Sequence, residues 1–236
     1  MSGALAIMVK TPGHSQIKSR LAAGLGKPLA EEFHRLAAAA VASVAMQARD
    51  TLGIQVYWAV AEADAQSHWT DLPVIAQGAG GLGQRMAQVQ AQLVARHGSG
   101  VLIGADSPQL SVELLAQALT WIDATPPRLA LGPAHDGGFW LFGANLAPPL
   151  QPWESVEYSA ADTAQSLRES MAKLGAWRLL PSLGDVDTVD DLPGLARALD
   201  ALDAATPAQT TLRAWVHERL SVGTPRVSSI QDAVRA

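Results

Sequence analysis

At 236 residues, with 48% hydrophobic and 17% charged side chains, the chain falls among globular proteins and has the length for one α/β core with helices on both sides of a sheet. Its formal charge is −5, from 17 Lys plus Arg against 22 Asp plus Glu, and no stretch gathers basic residues densely enough to follow a phosphate backbone, so nucleic acid is not an expected partner. The lack of cysteine excludes disulfides, thiolate metal sites and a cysteine nucleophile.

Ala4 to Val9 is a continuous apolar run cut off by Lys10, Thr11, Pro12 and Gly13, the pattern of a buried strand leaving a sheet. Without a basic leader or a small-residue cleavage site, this start reads as a first strand and not a signal peptide. A long helix is expected over Ala30 to Arg49, where Phe33, Leu36, Val41 and Val44 recur at helical spacing and Gly53 follows as a stop signal. Ile54 to Ala61 and Val74 to Ala76 read as strands. A glycine-rich turn, Gly78 to Gly83, then leads into a helix carrying Met86, Val89, Leu93 and Val94. Val101 to Gly104 is a strand, and a helix follows from about Val112 to Ile122.

Leu129 to Leu131 and Phe139 to Phe142 are strand-like runs on either side of a loop rich in turn formers. Pro148 to Tyr158 reads as an irregular crossing, followed by a helix over Ala161 to Leu174 and a strand near Trp177 to Leu180. Thr188 is a natural N-cap before Asp190 and Asp191, and two helices close the fold. The expected class is α/β, a three-layer α/β/α arrangement on a mostly parallel sheet. Residues 1–222 form one domain and 223–236 a C-terminal tail. No segment is long enough to span a membrane; the lack of cysteine leaves the redox compartment open, a cytoplasmic location is the simplest expectation, and oligomeric state is not readable.

Four polar clusters follow predicted strands, where ligands bind in open α/β sheets. In the first, Lys10, Lys18 and Arg20 surround a loop suited to a diphosphate or triphosphate, or else form a solvated basic turn. The second, Gly80, Gly81, Leu82, Gly83, Gln84 and Arg85, either lets a ligand approach the backbone with Arg85 on a phosphate or is a packing device at a helix entry. The third places Asp106 directly after a buried strand, as a carboxylate for a hard divalent ion or as a cap on its own turn. The fourth sets His135, Asp136, Gly137 and Gly138 before Phe139 and Trp140. There Asp136 binds an acceptor hydroxyl or the metal, or the Asp-Gly step makes a tight hairpin. Asp185 and Asp187 add an acidic step that supplies a further ligand.

In this order the clusters resemble the nucleotide-diphospho-sugar transferase superfamily, the glycosyltransferase-A fold. They resemble more narrowly a bacterial family that includes glycosyltransferases assigned to arsenosugar biosynthesis, and at longer range the 2-phospholactate and molybdenum-cofactor guanylyltransferases. The resemblance spans about residues 4 to 200. It rests on Met8 to Gly13 with Lys18 to Leu21, Gly81 to Met86, Gly104 to Pro108, Gly132 to Phe139, and Asp185 to Thr188. It implies that Lys10, Lys18 and Arg20 hold phosphates, that Gly81, Gly83 and Arg85 lie near the nucleoside, and that the later loop, where Gly137 and Gly138 leave room for a sugar or phosphate at the backbone, faces the acceptor. It also implies that Asp106 holds Mg²⁺ or Mn²⁺ with Asp187 as second ligand.

Ser19 stands where threonine is expected, and the first loop lacks the full glycine-rich signature of nucleotidyltransferases. The implied activity is a metal-dependent glycosyltransferase that moves a sugar from a nucleotide-sugar to a small-molecule acceptor, with Asp136 and Asp106 catalytic. Its rivals are transfer of a nucleotidyl group from a nucleoside triphosphate to a phosphorylated small molecule, and nucleotide binding without turnover.

Overall fold

The computed structural model describes residues 3–223. Seven strands form one sheet: β1 (Ala4–Val9), β2 (Gln55–Val60), β3 (Val74–Ala76), β4 (Gly100–Gly104), β5 (Arg128–Pro133), β6 (Phe139–Ala144) and β7 (Ala176–Leu179). Their order is β3-β2-β1-β4-β6-β5-β7. All run parallel except β6, which is antiparallel to both β4 and β5.

Strand alternation divides the apolar residues between two layers. Leu5, Ile7 and Val9 face a core shared with Val41 and Ala45 of α2 (Lys27–Leu52) and Leu115 and Leu119 of α4 (Val112–Ile122). Ala4 and Ala6 face the opposite core, with Val89 and Leu93 of α3 (Leu82–His97), Trp153 of α5 (Leu150–Glu154) and Leu167 of α6 (Thr163–Ser170). The outer face of α2 supports a third cluster with α1 (Ser19–Leu25), α7 (Leu192–Asp200) and α8 (Pro207–Gly223). The three-layer α/β/α class expected from the sequence is therefore the one observed.

Several boundaries differ, each for a physical reason. The long helix gains a turn at its start because Pro28 sits in the first turn, where proline costs no hydrogen bond. The crossing after β6 contains α5, with Pro152 tolerated near its start. The next helix is shortened to Thr163–Ser170, entered by Thr163 Oγ1 bonds to Glu157 and Ala160. Of the expected tail, Gly223 closes α8 and residues 224–236 lie outside the described residues. No helix among the described residues is long and apolar enough to cross a membrane.

The order β2-β1-β4 places a crevice at the carboxyl ends of β1 and β4, where successive crossovers leave in opposite directions. Because β5 runs parallel to β4, the β5–β6 turn reaches the same edge. The chain leaving β7 continues alongside it, with Leu183 N–H donating to Pro133 O at 3.1 Å. This topology brings four segments that are distant in sequence to one rim.

Candidate functional site

A cavity of about 690 Å³ opens at that rim. Lys10, Lys18, Arg20, Asp106, Asp136, Gly138 and Asp187 line it, as do Asp185 and the buried His34. Gly81, Gly83, Arg85 and Gly137 do not, although Leu82 and Met86 from the same helix start do.

Lys18 occupies a left-handed backbone conformation (φ 45°) just before α1, and its side chain is only 6% exposed. Its Nζ donates to Val186 O at 2.8 Å and lies 3.2 Å from Asp106 Oδ1 and 3.7 Å from Asp187 Oδ1. An ammonium has three protons, and three oxygens surround this one. Arg20 Nη2 pairs with Asp187 Oδ2 at 2.9 Å. Two of the three basic groups expected on phosphates are thus engaged with the two carboxylates expected on a metal. Lys10 is exposed and has no ion pair among the described residues.

Asp106 makes no bond to its own turn, and the cap of α4 is Ser111, whose Oγ accepts from Leu114 N–H. Burial pushes the Asp106 carboxyl up, but the charges of Lys18 and His34 and the Lys18 hydrogen bond outweigh it and hold the group below the ordinary aspartate value.

The fourth cluster is a hairpin turn and a cavity wall at once. Asp136 Oδ1 accepts from Gly138 N–H at 2.8 Å, Ala134 N–H donates to Gly138 O at 2.8 Å, and Gly137 has φ +91°. Gly137 serves this turn and its packing: a Cβ there would stand 2.0 Å from Ala161 O. The Asp136 carboxylate nonetheless meets Asp185 and Asp187, with one oxygen of each within 4.8 Å of the others. Burial, then the charges of Asp136 and Asp187, raise the Asp185 carboxyl above its ordinary value. Such crowding of ionised oxygens suits a hard divalent cation, which takes oxygen ligands. Asp106 is not one of these three, and its buried Oδ1 lies 3.2 Å from Lys18 Nζ. Four carboxylates and three basic side chains therefore line one cavity, with Lys18 between Asp106 and Asp187 and Arg20 on Asp187. A diphosphate entering alone would add to that negative excess, and a divalent ion would balance it.

The glycine-rich turn shows the packing reading at Gly83, where a Cβ would lie 2.5 Å from Trp153 O and 2.7 Å from the Tyr158 hydroxyl. Gly81 N–H donates to Gln84 Oε1 at 2.9 Å, and Arg85 Nε donates to Gly80 O at 2.9 Å, so both hold the turn itself. His34, Gln77 and Tyr158 also line the cavity and were not among the residues expected there. Gln77 is buried and its amide donates to Val9 O and Ala59 O at the ends of β1 and β2. Tyr158 donates to Trp153 O at 2.9 Å, and burial pushes its phenol up to about 12. The available signal for His34 was a polar residue inside the alanine-rich buried face of α2.

A family model described as "Uncharacterized protein conserved in bacteria (DUF2064)" matches residues 40–160. No curated protein matches the chain. Among solved structures, the chain is similar to a protein of Desulfovibrio desulfuricans G20 provisionally assigned as a nucleotide-diphospho-sugar transferase. That pair shows 25% identity and a TM-score of 0.76, over 91% of this chain and 96% of that one. A looser likeness joins it to a CMP:2-keto-3-deoxy-manno-octonic acid synthetase solved with CTP, with 16% identity and a TM-score of 0.48 over 85% and 99% of the two chains. A manganese complex from Mycobacterium tuberculosis H37Rv is similar at 17% identity and TM-score 0.46, over 85% and 100%. The resemblance to the nucleotide-diphospho-sugar transferase superfamily is thus borne out in the fold.

Proposed function

Because the chain belongs to the DUF2064 family and has the nucleotide-diphospho-sugar transferase fold, we propose that it is a metal-dependent glycosyltransferase using a nucleotide-sugar donor and a small-molecule acceptor. The observation that carries this reading is the convergence, in one cavity, of a basic first loop and the carboxylates Asp106, Asp136, Asp185 and Asp187. Lys10 meets the donor diphosphate as the free basic group. Lys18 acts indirectly: it is the fixed counter-charge that orients Asp106 and Asp187. Arg20 trades its exposed pairing with Asp187 for a phosphate when one arrives, since its fork accommodates either anion.

Asp187 would hold Mg²⁺ or Mn²⁺ with Asp136 and Asp185, whose oxygens converge with its own, and Asp106 would add a ligand from the end of β4; the bound ion would supply the positive charge that a departing phosphate needs. Asp136 Oδ1 is held by Gly138 N–H, which leaves Oδ2 to accept the proton of an acceptor hydroxyl as that oxygen attacks the anomeric carbon.

Transfer of a nucleotidyl group to a phosphorylated acceptor fits less well. A triphosphate and an acceptor phosphate would share three basic groups, of which two are already paired with carboxylates. The test is a melting-temperature screen of nucleotides and nucleotide-sugars with and without Mn²⁺, followed by product analysis of each binder. The expected result is a shift with one nucleotide-sugar that depends on Mn²⁺, and release of the nucleoside diphosphate as sugar reaches an acceptor. Pyrophosphate release from a triphosphate would replace this reading with nucleotidyl transfer, and binding without product from any donor would leave a nucleotide-binding module.

A further inference from the structure

The peptide unit joining Lys10 to Thr11 is gripped at both ends by side chains from elsewhere in the chain. Its carbonyl, Lys10 O, lies 2.9 Å from His34 Nε2 in α2. Its N–H, on Thr11, donates to Glu62 Oε2 at 2.9 Å from the segment after β2. Thr11 is further held through its hydroxyl, which accepts from Trp69 Nε1 at 2.9 Å. A peptide plane is rigid, so it reorients only by turning about the bonds on either side. Two opposed hydrogen bonds block that turn, and with it the direction in which the Lys10 side chain departs.

The cost borne by His34 argues that this grip serves more than packing. A carbonyl only accepts, so Nε2 carries a hydrogen and donates it to Lys10 O. Nδ1 is buried without a hydrogen-bond partner and lies 3.9 Å from Asp106 Oδ1, too far for a hydrogen bond. A leucine in this apolar stripe would avoid that penalty. A locally unfavourable choice beside a functional cavity is where a site requirement overrides folding.

We propose that His34 is a positioning residue that clamps the Lys10–Thr11 peptide and thereby aims Lys10 at the diphosphate of the donor. This rests on the functional reading above. Manganese pyrophosphate is the probe, because it represents the portion common to every nucleotide-sugar. His34→Gln places an amide near the Nε2 position and can still reach Lys10 O, whereas His34→Asn is too short.

Titration calorimetry of the full chain is expected to show His34→Asn weakening the probe by about tenfold and His34→Gln staying within about threefold of wild type. Melting temperatures of the two variants should agree. Lys10→Met should lose affinity as well, and combining it with His34→Asn should cost nothing further, since the clamp acts only through Lys10. Wild-type affinity in His34→Asn, equal losses in both His34 variants, or additive losses with Lys10→Met would each overturn the clamp while leaving the functional reading intact. Failure of the wild-type protein to bind manganese pyrophosphate would instead sink that reading and the clamp with it.

Discussion

The first loop and the hairpin tip line the same cavity, yet they are held by different means. The loop from Lys10 to Lys18 depends on partners far away in sequence: Glu62 for Thr11 and Ser15, His34 for Lys10, and Val186, Asp106 and Asp187 for Lys18. The tip from Ala134 to Gly138 is held by backbone geometry: within itself by the Ala134–Gly138 pair, by Gly137 N–H to Ala134 O at 3.2 Å and by the Asp136 turn, and to its neighbours by His135 N–H to Leu183 O and Ala164 N–H to Gly137 O. One wall of the site is therefore a tertiary assembly of charged side chains, and the other a backbone motif that displays its carboxylate. The first should respond to charge and the second to backbone geometry.

The largest expected effect tests the hairpin wall. Gly137→Ala adds a Cβ to a residue at φ +91°, 2.0 Å from a backbone oxygen that cannot move aside cheaply. A loss on the order of 3 kcal/mol is expected in urea unfolding. A loss under about 0.5 kcal/mol would show that the tip is looser than its hydrogen bonds imply.

Lys18→Met comes next and tests the other wall. It strands Asp106 and Asp187 against each other and leaves Val186 O without its donor. Breaking a fully buried pair costs about 3–5 kcal/mol, but half of the Asp106 side chain is exposed, so about 2 kcal/mol is expected. Adding Asp106→Asn should recover part of that loss. If the double variant is instead less stable than Lys18→Met, the pairing between these residues is not what holds the loop.

The same contrast explains what could be read from the sequence. The Asp-Gly step at Asp136 and Gly137 announced a hairpin because the signal is local, and alternation of apolar runs announced the α/β class. The reversed β6 between β4 and β5 was not legible, since strand order is decided by pairings between segments far apart. The charges of Lys18 and Asp106 were visible, but not that one neutralises the other. That pairing depends on α1 meeting the end of β4, and the bond from Lys18 to Val186 spans 168 residues. His34 was hidden for the converse reason. Its helix is plain from its alanines, and nothing local reveals that one position on the buried face looks onto the first loop.

The smallest expected effect separates the two walls by acid. Burial raises the Glu62 carboxyl, but hydrogen bonds from Ser15 and Thr11 more than offset this and hold it below the ordinary glutamate value of 4.5. A carboxyl depressed on folding binds fewer protons than its unfolded counterpart, so its contribution is complete above the unfolded value and fades as pH falls through the folded one. Partial exposure of Glu62 keeps that contribution to no more than about 1 kcal/mol. The effect should be local. Below pH 4.5, the Thr11 amide should lose protection in hydrogen exchange, after correction for intrinsic rates, while the His135 amide, bonded to the Leu183 carbonyl at 3.0 Å, should not. Glu62→Gln should flatten the acid response of Thr11 and leave His135 unchanged. Parallel loss at both amides would mean that the walls open as one unit and that their separate anchoring has no energetic consequence.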